Sequence, residues 1–167
     1  MIISGEVWKY GDNVNTDVIF PGRYTYVLLE ESYMGQYALE DLDPLFNSSS
    51  KAGDIIVAGR NWGCGSAREQ AVKCLKARGV GAIIAESFSR IYYRNCLNEG
   101  LLTIVCPELV NEVEQGDILD IDVENSIIRL NNKEYHFTPY PSYVKGLIES
   151  GGLIPYVKKK LAVQECK

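Results

Sequence analysis

The sequence predicts an α/β protein, one domain with a parallel core sheet followed by an antiparallel segment. Three observations carry this. Short apolar runs with β-branched residues recur at 54–58 (Asp-Ile-Ile-Val-Ala), 81–85 (Gly-Ala-Ile-Ile-Ala) and 101–106 (Leu-Leu-Thr-Ile-Val-Cys), each the length of a buried strand. Helical patterns separate them at 67–78 and 89–98, and a strand–helix–strand–helix–strand order builds parallel sheets. After Gly116 the pattern changes: apolar and polar residues alternate over 117–123, a strand continues at 126–130, and Asn131-Asn132 turns the chain into 133–138, as antiparallel strands require.

The remaining elements follow in order. Residues 2–8 read as a strand, with Ile3, Val7 and Trp8 among polar partners, and Gly11–Asn15 as a polar turn. A short helix is expected at 30–39, and Asn47-Ser48-Ser49-Ser50-Lys51-Ala52-Gly53 reads as a loop. In the helix at 67–78, Ala67, Ala71, Cys74 and Leu75 share one face, and Gly79 stops it. Helices at 141–150 and 152–163 close the chain. No repeat, low-complexity stretch or linker divides it, so residues 1–167, 46% of them hydrophobic, are expected to form one domain with a sizeable core.

Charge and cysteine usage exclude several classes. A net charge of -5 does not suit a general nucleic-acid binder, which needs a basic stripe to replace phosphate counterions. No apolar run reaches the length of a membrane span, and the N-terminus lacks the basic region of a secretory signal, so a cytoplasmic protein is expected. Five cysteines (Cys64, Cys74, Cys96, Cys106 and Cys166) are odd in number and widely spaced, which speaks against a disulfide framework. With His136 the one histidine, no metal site is expected in this chain.

The strongest chemical signal is Gly63-Cys64-Gly65-Ser66-Ala67-Arg68-Glu69, between a buried strand and a helix. Glycines there allow a tight turn and bring backbone N–H groups close to a ligand. The helix start favours an anion, and Arg68 adds a planar donor for a carboxylate or phosphate. Neither nucleotide fingerprint fits: no Gly-Lys-Ser/Thr is present, and Arg68 stands where a dinucleotide loop needs its third glycine. A small anion is therefore expected. Ser66-x-x-Glu69 also reads as a capping box, so helix capping and chemistry compete for the same hydroxyl. Cys64 reads as a small residue in a tight turn or a low-pKa thiol. His136, in a strand between Tyr135 and Phe137, reads as a packed or surface residue. Arg90, Tyr93, Arg94 and Asn95 read first as packing or subunit contacts.

Residues 63–69 resemble the Gly-x-Gly-Ser-Ser-Arg-Glu segment of the swivelling domain of the aconitase superfamily. Asn15-Thr16-Asp17-Val18-Ile19-Phe20-Pro21-Gly22-Arg23-Tyr24 is similar to that family's loop after its first strand, and Ala85-Glu86-Ser87-Phe88-Ser89-Arg90-Ile91-Tyr92-Tyr93-Arg94-Asn95 to a third segment, in the family's order. The resemblance implies a single swivelling β/β/α-type domain and the reversible dehydration and rehydration of a 2-hydroxy dicarboxylic acid. It also implies that this chain is one subunit of two. A large subunit holds the four-iron cluster, whose open iron acts as a Lewis acid, and this chain carries no cofactor. By the same resemblance Ser66 is the base that removes a carbon-bound proton, and Arg68 binds a substrate carboxylate beside Gly65 and Ala67. Asp17 orients groups or handles a proton, against the alternative of a residue in an Asx turn. Ala67 departs from the usual second serine and removes a hydroxyl donor.

Tyr24-Thr25-Tyr26-Val27 is similar to the stretch that senses the substrate's third substituent, where members acting on tricarboxylates carry an arginine at the position of Tyr26. An aromatic lining there leaves a third carboxylate unpaired, at a cost of several kcal/mol, whereas an alkyl group gains about 0.8 kcal/mol per buried methylene. Tyr24 and Tyr26 are thus expected to line a pocket for an alkyl malate, 3-isopropylmalate first, with 2,3-dimethylmalate, citramalate and homoaconitate behind. Two other classes compete: a cysteine hydrolase using Cys64 with His136, and a non-catalytic anion-binding regulator.

Overall fold

β1 (Ile2–Lys9) sits in the middle of a seven-stranded mixed sheet and joins its two halves. Its C-terminal end, Val7 to Lys9, pairs in parallel with β2, and its N-terminal part, Ile2 to Glu6, pairs antiparallel with β5. The computed structural model describes residues 1–27 and 30–165, so Cys166 lies outside the described residues. After β1 come α1 (Thr16–Ile19), a 3₁₀ turn at Gly22–Tyr24, α2 (Glu31–Met34), a second 3₁₀ turn at Gly35–Tyr37, and α3 (Pro44–Ser49). The parallel series follows: β2 (Ile55–Ala58), α4 (Gln70–Arg78), β3 (Ala82–Ala85), α5 (Arg90–Glu99), β4 (Leu102–Val105) and α6 (Pro107–Glu112). Then β5 (Ile118–Asp122), β6 (Ile127–Leu130) and β7 (Lys133–His136) form the antiparallel meander, and α7 (Ser142–Ser150) and α8 (Leu153–Glu165) close the fold.

The strand order is β4-β3-β2-β1-β5-β6-β7. The expected α/β class, with a parallel core and an antiparallel segment, is the observed one. β2 and β3 are buried at every position, as continuous apolar runs covered on both faces should be. Ile56 and Ala58 face one hydrophobic cluster with Trp62, Ala71, Leu75 and Tyr92; Ile55 and Val57 face the other, with Leu109, Ile121 and Ile128.

Two expectations need correction. Residues 47–53 are not all loop. Asp43 caps α3 by accepting from Leu45 N–H at 3.1 Å, and Pro44 opens it, so the helix runs through Ser49. The helix expected at 67–78 begins only at Gln70, leaving Ala67 exposed and outside its apolar face. Its far end is as expected: Gly79 is left-handed at φ 90°, and its N–H reaches the carbonyls of Leu75 and Lys76.

The loops after β1, β2 and β3 gather at the carboxyl edge of the parallel strands, where open α/β sheets place their ligands. Backbone bonds tie the three together. Gly63 N–H donates to Val14 O (2.9 Å), Thr16 N–H to Cys64 O (2.8 Å), Trp62 N–H to Ser87 O (3.0 Å) and Ser89 N–H to Trp62 O (2.9 Å).

Candidate active site

Ser66 is free of the helix that its sequence pattern assigns it to cap. The N-cap of α4 is Glu69, in helical conformation and without a side-chain cap bond. Ser66 is exposed, and among the described residues its hydroxyl has no hydrogen-bond partner. Tertiary ties explain the shift. The buried Thr16 hydroxyl donates to Ser66 O at 3.0 Å, and Arg68 N–H donates to the same carbonyl at 2.8 Å, so the chain turns before the helix can start.

Two glycines make this turn possible. Gly65 adopts φ 93°, and a Cβ on it would lie 2.5 Å from the Asn15 side-chain oxygen; Gly63 adopts φ 73°, and its Cβ would lie 2.1 Å from the Tyr92 ring. Larger residues would meet both a left-handed backbone and a fixed neighbour. Tyr92 cannot yield easily. It is fully buried, its hydroxyl donates to Ala71 O at 3.1 Å, and burial pushes its pKa well above the usual tyrosine value.

Asn15 caps α1 by accepting from Asp17 N–H at 2.8 Å, which leaves the Asp17 carboxylate free to turn toward Arg68. Asp17 Oδ1 lies 2.6 Å from Arg68 Nη1, and the same nitrogen reaches Thr25 Oγ1 at 3.3 Å. Arg68 is the less exposed partner, so the pair fixes its guanidinium while part of the donor fork remains open.

Beside this pair lies an open cavity of about 290 Å³, walled by Gly63, Gly65, Ser66, Ala67 and Arg68 from the turn and by Ser89, Arg90, Ile91, Tyr92 and Asn95 from the start of α5. The structure therefore brings together Ser66, Arg68, Gly65 and Ala67, with Asp17 attached through Arg68. It does not bring Tyr24 or Tyr26 into the cavity wall. The Tyr24 ring packs on Tyr37 at 4.0 Å between centroids, and the Tyr26 side chain is 96% exposed. Thr16 and Thr25 are contributors that the sequence reading left without a role, and Asn95, read first as a packing or subunit contact, lines the cavity. Thr16 and Thr25 adjoin the residues singled out, and Asn95 lies five residues beyond Arg90 on the same helix.

The chemistry on offer is recognition of a small anion by a cationic, N–H-rich turn with an unengaged hydroxyl beside it. A Cys64–His136 dyad does not form. His136 is exposed on β7, four strands from β2, or about 19 Å at ordinary strand spacing, and the Cys64 thiol donates instead to Asn13 O at 3.3 Å. The other described cysteines do not suit an iron–sulfur cluster either. Cys74 and Cys96 are fully buried, and burial pushes their thiols far above the usual range, against the thiolate that a cluster ligand must be. No group of three or more metal-binding side chains occurs among the described residues.

The seven-stranded sheet carries its glycine–serine–arginine turn in the loop after its second strand. The family model described as the aconitase C-terminal domain matches residues 30–109. The chain belongs to the family of 3-isopropylmalate dehydratase small subunits. It is 44% identical to the one from Thermodesulfovibrio yellowstonii over the whole of both chains, and 45% identical to the one from Caldanaerobacter subterraneus, covering 95% of this chain and 99% of the relative. The solved 3-isopropylmalate dehydratase from Methanocaldococcus jannaschii superposes with a TM-score of 0.92 at 39% identity, over 99% of this chain and 98% of that one. Aconitase X from Thermococcus kodakaraensis, at 16% identity and a TM-score of 0.51, shares the fold. No described helix is long and apolar enough to cross a membrane.

Proposed function

We propose that this chain is the substrate-handling half of a hydro-lyase that interconverts 2- and 3-isopropylmalate, a step of leucine biosynthesis, in a site completed by a large subunit. The observation that carries the reading is the Ser66 hydroxyl: released from capping, it walls the cavity beside an arginine fixed by Asp17. Arg68 binds one substrate carboxylate through the open part of its fork. Ser66 takes the proton from the carbon next to that carboxylate and returns it on rehydration. A serine hydroxyl is a weak base at neutral pH, so its alkoxide needs nearby donors and positive charge. The N–H groups of the glycine turn and the Arg68 guanidinium are the groups placed to supply them. Asp17 holds Arg68 in line, and Thr16 holds the Ser66 peptide.

The donor set among the described residues does not fit an iron–sulfur cluster, so the reading assigns the Lewis acid to the partner and routes no step through residues here. Tyr26, free of intramolecular packing, is the side chain available to meet the substrate's alkyl group once the partner closes the site. The chain is cytoplasmic in this reading.

Reconstitution tests it. The chain alone is expected to be colourless and inactive. With its large subunit it is expected to form a complex that interconverts the isopropylmalates and prefers them to homoaconitate. A brown, active single-chain preparation overturns the reading, as does an assembled complex that ignores isopropylmalate.

A further inference from the structure

Two exposed arginines stand without a countercharge. Arg23, Arg60, Arg68 and Arg129 each pair with a carboxylate, and Arg78 bonds Ser50 and the Asn47 carbonyl. Arg90 and Arg94 have no hydrogen-bond or ion-pair partner among the described residues. The acids nearest to them in sequence turn elsewhere, Glu86 toward Arg60 and Glu99 toward Lys73 and Lys76. The two arginines lie one turn apart on α5, where like charges repel. They do so in a chain whose net charge is -5, so the unmatched positive charge is a local feature.

Arg90 and Arg94 border an open groove of about 380 Å³ whose other walls are Ser87, Phe88, Tyr93 and Val105. Val105 ends β4, the edge strand of the sheet. The three residues before it are buried, whereas Val105 is 47% exposed. The Phe88 and Tyr93 rings meet at 5.7 Å between centroids and give the groove an aromatic wall. Ile91, also exposed, walls the cavity beside Ser66, and Arg90 borders cavity and groove alike, so the two are continuous. Exposed apolar surface with aromatic rings and arginine around it has the composition of a protein interface.

We propose that this groove docks the large subunit, through a segment that presents an apolar side chain flanked by carboxylates; the proposal rests on the reading of the cavity as half of a shared hydro-lyase site. Charge complementarity selects the carboxylates, since Arg90 and Arg94 offer two planar forks one turn apart. Continuity selects the partner. A subunit that completes the cavity has to pass over the rim that Arg90 shares with the groove. A second copy of this chain seated on the same rim would stand in its way.

The test measures the Kd between this chain and the large subunit by calorimetry, for wild type, Arg94→Glu, Arg94→Gln and Val105→Asp. Lys51→Glu is the control, a charge reversal at an exposed residue before the amino end of β2, whereas Val105 ends its strand at the carboxyl edge. Arg94→Glu and Val105→Asp are expected to weaken association about tenfold or more, and Arg94→Gln by less. Lys51→Glu is expected to match wild type. Added salt is expected to weaken wild-type association more than that of Arg94→Gln. At saturating large subunit, the Arg94→Glu complex turns over at near the wild-type rate, because the groove serves assembly and not chemistry. Thermal unfolding of each isolated variant separates lost docking from lost folding, and the neutral Arg94→Gln carries the test if either of the others unfolds early. Unchanged Kd in the groove variants overturns the proposal, as does equal weakening by Lys51→Glu. Self-association of the isolated chain that Arg94→Glu abolishes also overturns it and gives the groove to a second copy. If wild type associates with the large subunit and the groove variants behave like it, the docking assignment alone fails. If wild type does not associate, the functional reading fails and takes the assignment with it.

Discussion

Replacing Thr16 by Val removes one hydroxyl from under the proposed base and leaves the rest of the side chain nearly the same shape. Thr16 is 1% exposed, and its hydroxyl donates to Ser66 O at 3.0 Å. A typical internal hydrogen bond contributes about 0.5–1.5 kcal/mol. Ser66 O keeps its bond from Arg68 N–H at 2.8 Å, so the carbonyl is not orphaned and the cost stays near 1 kcal/mol. For a domain of this size that lowers Tm by about 2–4 °C. Turnover should suffer more than stability. The Ser66 peptide would be held from one side only, and a displacement of about 1 Å at a reacting group can cost on the order of a hundredfold. The assay pairs thermal unfolding of the isolated chain with kcat/KM of the complex, for Thr16→Val and Thr16→Ser. The serine variant keeps the donor and should recover most of the activity. If Thr16→Val unfolds a few degrees early yet turns over like wild type, the hydroxyl does not position Ser66 for chemistry.

Arg68→Lys keeps the charge but cannot hold Asp17, Thr25 and a carboxylate with one planar fork. Steady-state kinetics should show about 1.5–3 kcal/mol of lost substrate interaction. Tyr26→Arg, at an exposed position, should change stability by less than about 0.5 kcal/mol, and in a competition assay it should move preference from 3-isopropylmalate toward homoaconitate. Asp122 accepts from the Asn125 side chain (2.7 Å) and from the backbone N–H groups of Glu124 and Asn125, foremost Asn125, which holds its carboxyl below the usual aspartate range. Its contribution to stability is therefore present above the ordinary aspartate pKa and is lost as pH falls through the depressed value. Asp122→Asn should flatten the acid side of the Tm-against-pH curve.

The parallel half of the fold was legible because β2 and β3 are buried on both faces, and such strands read as unbroken apolar runs. The meander was legible because β5 keeps one face to solvent and alternates. The start of α4 was not. Ser66-x-x-Glu69 satisfies the local rule for a cap, but Thr16, fifty residues away in sequence, holds the Ser66 carbonyl, and no local pattern encodes that bond. α3 was obscured by its serines, although Asp43-Pro44 carried a capping signal. Within the candidate site, the tight turn at Gly63–Arg68 could be read from residue type alone, since Gly63 and Gly65 both adopt left-handed backbone there. The Asp17–Arg68 pair depends on how two loops meet, and no local pattern encodes it. Tyr24 was placed at the pocket by its position in a motif, and the contact its ring makes with Tyr37 is one that no local pattern encodes.

Turnover by the complex assembled with Ser66→Ala tests the central claim most directly. Ser66 is exposed and does not cap α4, so the variant should fold and assemble like wild type, with stability changed by less than about 0.5 kcal/mol. The account predicts that interconversion of 2- and 3-isopropylmalate is abolished while 3-isopropylmalate still binds. Wild-type turnover per assembled Ser66→Ala complex would contradict it.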